Sequence, residues 1–129
     1  ANWNYRELGV SGRAVRGDAG RVVVPTGPRA GIVAAYTVNE LPDATRDTLR
    51  QRLLEAHARR TRVLIIEPIA RRLAGWWDAW QRDFEARGGR SDEWRFAVPL
   101  PTRQRQLGRA AGLDPRELTA RSLWLGPSR

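Results

Sequence analysis

Two short apolar runs, Ile32–Val38 (IVAAYTV) and Val63–Ile66 (VLII), stand one helix length apart, and this pair constrains the chain more than any other feature. Neither alternates polar with apolar residues as a strand with one wet face does. A near-continuous run fits a strand covered on both sides, the usual condition in a parallel sheet. Between the runs, Asn39-Glu40-Leu41-Pro42-Asp43 carries breaking and capping residues, with Asp43 able to accept hydrogen bonds from the free amides of a helix starting at Ala44. The helix is expected to reach about Ala58, with Leu49, Leu53 and Ala56 on one stripe and Arg46, Asp47 and Arg50 mainly outside it. Strand, crossover and strand make the two strands parallel and the connection right-handed. Glu67-Pro68 ends the second strand, since proline cannot continue a central ladder.

Downstream, Leu73, Trp76, Trp77, Trp80 and Phe84 recur at helical spacing and predict an amphipathic helix over 71–86, stopped by Gly88-Gly89. Asp92 to Phe96 leads into Pro99-Leu100-Pro101 and reads as an irregular loop. Thr102 can cap a short helix through Ala111 with Gly112 as its stop, and Leu118–Leu125 (LTARSLWL) reads as a closing strand. Upstream, Trp3–Leu8 reads as the end of a helix stopped by Gly9, and Gly12–Gly17 as a short strand.

At 129 residues and 41% apolar composition the chain is one domain or part of one. No apolar run approaches the roughly 20 residues that span a bilayer, and no charged-then-apolar leader opens the chain, so the expectation is a cytoplasmic protein. With no cysteine and one histidine, His57, neither a disulfide framework nor a thiolate or histidine-rich metal site is expected, and no metal is assigned. The net charge of +9 points towards an anionic partner such as nucleic acid. All 23 basic residues are arginine, however, and many alternate with acids, as in Arg46, Asp47, Arg50, Arg52 and Glu55, the pattern of a solvated helix face.

Four segments in order, RAVRGDA (13–19), GIVAAYTVNELP (31–42), RVLIIEPIARR (62–72) and LGRAAGLDPRELTARSLWL (107–125), resemble the second half of a class I S-adenosylmethionine-dependent methyltransferase domain. NEL after one strand, EP after the next and an AAGL turn before a last strand look like bacterial proteins described only as methyltransferase-domain proteins. The resemblance implies an α/β fold, a partial Rossmann-like sheet, mainly parallel, with flanking helices and the family's strands three to six. The family's glycine-rich loop after its first strand and its acidic residue after the second have no counterpart here. Residues 1–129 are therefore expected to be a single partial domain that lacks its N-terminal strands. Without the family's first strand, the Ile32–Val38 strand becomes a sheet edge open to self-association.

The same resemblance implies S-adenosylmethionine as cofactor and methyl transfer to an unidentified acceptor. Asp18 and Ala19 match the family position that meets the adenine, while Tyr36 and Thr37 lie where its fourth strand ends beside the cofactor. Asn39 and Glu40 stand near the transferred methyl, where a side-chain oxygen can orient or deprotonate an acceptor. Glu67, Arg71 and Trp94 are the acceptor-side candidates. Plainer readings stand beside these. Asp18 and Asn39 can shape their own turns, Glu67 can stabilise a helix start, and Arg71 can be solvated. The tryptophans at helical spacing read first as core, and Trp94 as a loop residue held under its own chain. The rival function is a non-catalytic, arginine-rich RNA- or ribosome-associated module on a methyltransferase-like fold.

Overall fold

The computed structural model of the chain describes residues 2–69, 75–112 and 117–126. The elements in chain order are α1 (Asn2–Glu7), β1 (Gly31–Ala35), a 3₁₀ turn (Val38–Glu40), α2 (Asp43–Ala58), β2 (Arg62–Glu67), α3 (Trp77–Glu85), β3 (Arg90–Ala97), α4 (Thr102–Ala110) and β4 (Glu117–Leu125).

The expected strand–helix–strand unit is present: β1 and β2 pair in parallel from Gly31 opposite Arg62 to Ala35 opposite Ile66. β1 is shorter than the apolar run suggested, because Tyr36 takes a left-handed backbone conformation (φ 54°) and turns the chain out of the sheet. α2 is built from good helix formers and buries Leu49, Leu53 and Ala56, the stripe read from its periodicity. Its N-cap is Pro42, and Asp43, the expected cap, sits inside the first turn paired with Arg46 at 2.7 Å. Its C-terminal end is closed by Arg60 at φ 70°, in the position where glycine is usual. His57 is buried there, its Nδ1 3.3 Å from the Thr61 carbonyl.

The sheet runs β1-β2-β4-β3. β4 is antiparallel to both of its neighbours, so β3 runs in the same direction as β1 and β2. The sheet is therefore mixed, with one parallel pairing and two antiparallel ones, and the expectation of a mainly parallel sheet is corrected. The difference arises at β3. Arg90–Ala97, expected to be a loop, is an edge strand whose mostly exposed residues give it no apolar run to advertise it. Its alternation is legible afterwards: Asp92, Trp94 and Phe96 share one face with Ser122, Ala120 and Leu118 of β4. Gly12–Gly17, expected to be a strand, is not one. The N-terminal helix and the helix after Pro101 follow the expected spans, the latter closing at Ala110. Of the helix expected over 71–86, α3 is the described part, and Arg71, Arg72 and Leu73 lie outside the described residues.

The hydrophobic core lies on one face of the sheet. Val63 and Ile65 of β2 and Leu123 and Leu125 of β4 are buried under α2 and α3, against Leu49, Leu53, Trp77, Trp80 and Phe84. Trp80 and Phe84 stack with centroids 6.3 Å apart. Gly89 allows α3 to turn directly into β3, since a Cβ there would meet the Trp124 carbonyl oxygen at 2.5 Å and that of Phe84 at 2.8 Å. The opposite face carries Val33, Leu64, Ile66, Trp94, Phe96, Leu118 and Trp124. Val33 is 66% exposed and Phe96 55%, while Leu64, Ile66 and Trp124 between them are half-buried, so among the described residues this is the barer face of the sheet, most open at its edges.

Two outcomes follow from this one-sided packing. Phe84→Ala is expected to cost about 3–5 kcal/mol in a denaturant titration, because it opens a cavity at the centre of the packed side. Sedimentation velocity should show concentration-dependent association that Val33→Lys reduces, since Val33 lies both on the bare face and on the unpaired β1 edge. A chain that stays monomeric at every concentration would refute the second expectation.

Candidate functional site

At the carboxyl ends of β1 and β2 the chain makes a turn held from below by one side chain. Tyr36 donates its backbone N–H to the Ile66 carbonyl at 2.8 Å, which extends the β1–β2 pairing by one bond. Beyond it the amides of the 3₁₀ turn point back towards the sheet without helical partners, the usual condition of a helix start. Glu67, the last residue of β2 and fully buried, fills that position. Its Oε1 accepts from the backbone N–H groups of Thr37 at 3.0 Å, Val38 at 2.7 Å and Asn39 at 3.4 Å. Charge-assisted bonds of this kind are stronger than neutral ones, and the free amides carry the positive end of the turn's dipole.

The far side of the turn is held by Arg46 of α2. Its Nε donates to the Val38 carbonyl at 3.2 Å and its Nη2 to that of Leu41 at 2.7 Å. The Arg46 guanidinium also lies 5.4 Å from the Trp76 ring centroid. Trp76 in turn donates its indole N–H to Asn39 Oδ1 at 3.1 Å, which fixes which way that amide faces. Asn39 Nδ2 is then left buried with no partner among the described residues.

Beside Glu67 on β4 stands Arg121, its register partner on the same face of the sheet. Arg121 is 7% exposed and stacks on Trp77 with its Cζ 4.1 Å from the ring centroid, a cation–π contact. Burial holds the guanidinium below its ordinary pKa, and the nearby carboxylates of Glu67, Asp78 and Glu93 oppose that shift. No ion pair closes between Arg121 and Glu67. Glu67 Oε2 and Arg121 Nε and Nη2 are all buried without a hydrogen-bond partner among the described residues.

The structure thus brings together Tyr36, Thr37, Asn39, Glu40 and Glu67, five of the nine residues singled out from the sequence. Glu40 and Tyr36 face solvent, Tyr36 at 56% exposure. Asp18 and Ala19 are not in this group. The Asp18 carboxylate accepts from the Gly20 N–H at 2.7 Å, and the segment lies along the flank of α2, where Arg52 donates to the Gly20 carbonyl at 2.6 Å and to that of Val22. Trp94 is on the bare face of the sheet, its indole N–H on Ser122 Oγ at 2.9 Å and its ring stacked on Phe96. Arg71 lies outside the described residues. Sequence reasoning missed Arg46, Arg121 and the polar use of Trp76. For Arg121 a signal existed, a lone cation inside the apolar strand LTARSLWL, where a buried charge must find compensation.

With Oε1 shared among three amides, the Glu67 carboxylate is an anchor for the turn, and the exposed polar side chain of the turn is Glu40. Among the described residues no group of three or more His, Cys, Asp or Glu side chains could hold a metal ion, and no helix is long and apolar enough to cross a membrane. Compared with protein-family models, curated proteins and solved structures, the chain matches none.

Glu67→Ala is expected to lower stability by about 3 kcal/mol, because it strands buried amides that had a charged acceptor. Glu67→Gln, which keeps an oxygen acceptor, should cost less than half as much. Hydrogen exchange of the Thr37, Val38 and Asn39 amides separates this from a general loss of packing: only Glu67→Ala should expose them ahead of the β2 core.

Proposed function

We propose that the chain is the C-terminal part of a class I S-adenosylmethionine-dependent methyltransferase domain and that it supplies the acceptor side of the active site. The observation that carries this reading is the strand arrangement, in which the last strand, β4, runs reversed between β2 and β3 while the other three share one direction. The class I methyltransferase sheet closes in the same way, with its final strand reversed and inserted between the two before it, so in this reading β4 stands for the family's last strand and not, as the segment order suggested, for its sixth, a place that β3 takes. Ligands of open α/β sheets bind beyond the carboxyl ends of the parallel strands, and the turn at Tyr36–Glu40 stands there.

The cofactor would supply a methyl group on a sulfonium, and transfer needs donor and acceptor in line, so positioning can account for much of the rate. On this chain Tyr36 and Thr37 would border the cofactor. Asn39 would orient the acceptor, its amide fixed by Trp76, and Glu40 would take the acceptor's proton. Asp18 and Ala19 contribute to the cofactor in this scheme only as a neighbouring segment, since the Asp18 carboxylate is already engaged with Gly20. The glycine-rich side of the cofactor site has no counterpart in these residues. Fold likeness alone does not decide chemistry, and the activity stands on this analogy together with the site geometry.

A second reading, an RNA-binding module without catalysis, draws on a different observation. Arg29, Arg59, Arg60 and Arg62 are exposed, and none forms an ion pair among the described residues. The bonds from Gly27 N–H to Thr61 Oγ1 and from Arg62 N–H to the Ala30 carbonyl gather them at the end of the sheet opposite the Tyr36–Glu40 turn. Unpaired arginines grouped in this way suit a phosphate backbone.

Calorimetric titration of S-adenosylmethionine decides between the two, into the chain and into a longer form carrying a glycine-rich loop upstream. Binding by the longer form, weakened at least tenfold by Asn39→Ala and Tyr36→Ala together, is the expected result. If both forms are folded and neither binds, while RNA binding falls steeply with salt, the methyltransferase reading is lost and the second takes its place.

A further inference from the structure

Buried hydrogen-bonding groups are almost always satisfied, so a cluster of unsatisfied ones says something about what is meant to meet them. Four atoms of one neighbourhood have no hydrogen-bond partner among the described residues: Glu67 Oε2, Arg121 Nε, Arg121 Nη2 and Asn39 Nδ2. Glu67 and Arg121 face each other across β2 and β4, and Asn39 is tied to both, through its backbone N–H to Glu67 and through Trp76, whose ring lies 5.9 Å from the Arg121 guanidinium. Each charged member is held by something else, Glu67 Oε1 by three amides and Arg121 by the face of Trp77. Neither is therefore free to swing over and neutralise the other.

The pattern of demand is specific. Nε and Nη2 are the two N–H groups on one edge of a guanidinium, the edge that receives a carboxylate through two parallel bonds. Asn39 Nδ2 adds a third donor. Glu67 Oε2 asks for a donor. Glu67 and Arg121 together are neutral, so a bound carboxylate alone would leave a buried negative charge, whereas a carboxylate with an ammonium beside it leaves none.

We infer that Glu67, Arg121 and Asn39 form a binding site for an amino carboxylate, with the ligand carboxylate on Arg121 and Asn39 and its ammonium on Glu67. In the methyltransferase reading, on which the ligand's role but not its binding rests, the ligand is a free amino acid that accepts the methyl group. The methionine part of the cofactor carries the same chemistry, and the experiment must tell the two apart.

The tryptophans beside the site supply the signal. Intrinsic fluorescence of the chain is followed while each proteinogenic L-amino acid, S-adenosylmethionine and 5′-methylthioadenosine, which lacks the amino carboxylate, are titrated separately. At least one free amino acid should change the emission, and its amide and its deaminated analogue should bind at least tenfold more weakly. Arg121→Gln should weaken binding tenfold or more, with Arg121→Lys recovering part of it. Glu67→Gln should erase the difference between the amino acid and its deaminated analogue, an effect that a merely structural role would not produce. Each variant is first shown to be folded by circular dichroism.

If S-adenosylmethionine binds more tightly than 5′-methylthioadenosine, loses that advantage in Arg121→Gln, and no free amino acid binds, the site stands and its ligand is the cofactor. If an amino acid binds and the cofactor binds no form of the protein, the site stands and methyl transfer falls. The inference is overturned if no amino carboxylate binds, or if binding is equal in wild type, Arg121→Gln and Glu67→Gln.

Discussion

The Glu67 carboxylate has no exposed surface, yet the geometry of the whole upper end of the sheet passes through it. By collecting the amides of Thr37, Val38 and Asn39 on one oxygen, it fixes where the chain leaves β1 and how it enters α2. A carboxylate in that setting is costly unless its bonds are made, so the turn and the strand end stabilise each other and neither has its geometry alone. Arg46 closes the same turn from the helix side through two backbone carbonyls. The segment from Tyr36 to Leu41 is thereby held at both ends by charged side chains from elements that are themselves part of the packed layer.

What was legible in the sequence was local and periodic. The two apolar runs, the helix between them and the stripe Leu49, Leu53, Ala56 follow from spacing alone, because each signal lies within one element. β3 escaped for a physical reason: an edge strand with mostly exposed residues is specified by its partner, and that partner, β4, lies beyond α4 in the chain. The mixed sheet followed from the same omission. Nothing in a tyrosine at the end of an apolar run announces a left-handed backbone, and the turn that follows it is held by Glu67 from another strand.

The candidate site was legible in its types and not in its partners. Asn39, Glu40 and Glu67 are marked by the methyltransferase resemblance together with their place at the carboxyl ends of strands. Arg121 and Trp76 could not be joined to them, since that connection exists only once β4 lies beside β2 and α3 lies over both. Trp76 is instructive, because the spacing that marks Trp77 and Trp80 as core also includes it, and only its position at the rim leaves its N–H directed at Asn39. Asp18, by contrast, does what an aspartate before a glycine-containing turn does on its own.

The reversed position of β4 has a consequence for how the molecule is made. Among the described residues β3 has no neighbour other than β4, and β2 meets nothing on that side until β4 arrives, so both strands emerge from the ribosome with an edge unsatisfied. β2 can already pair with β1, but β3 must wait for β4 before any ladder of its own can form, a loop to close before any reward in pairing. During that interval the apolar residues of β2 and the tryptophans of α3 are open to other chains. The order in which the strands follow one another along the chain thus leaves this side of the sheet open until β4 has been made.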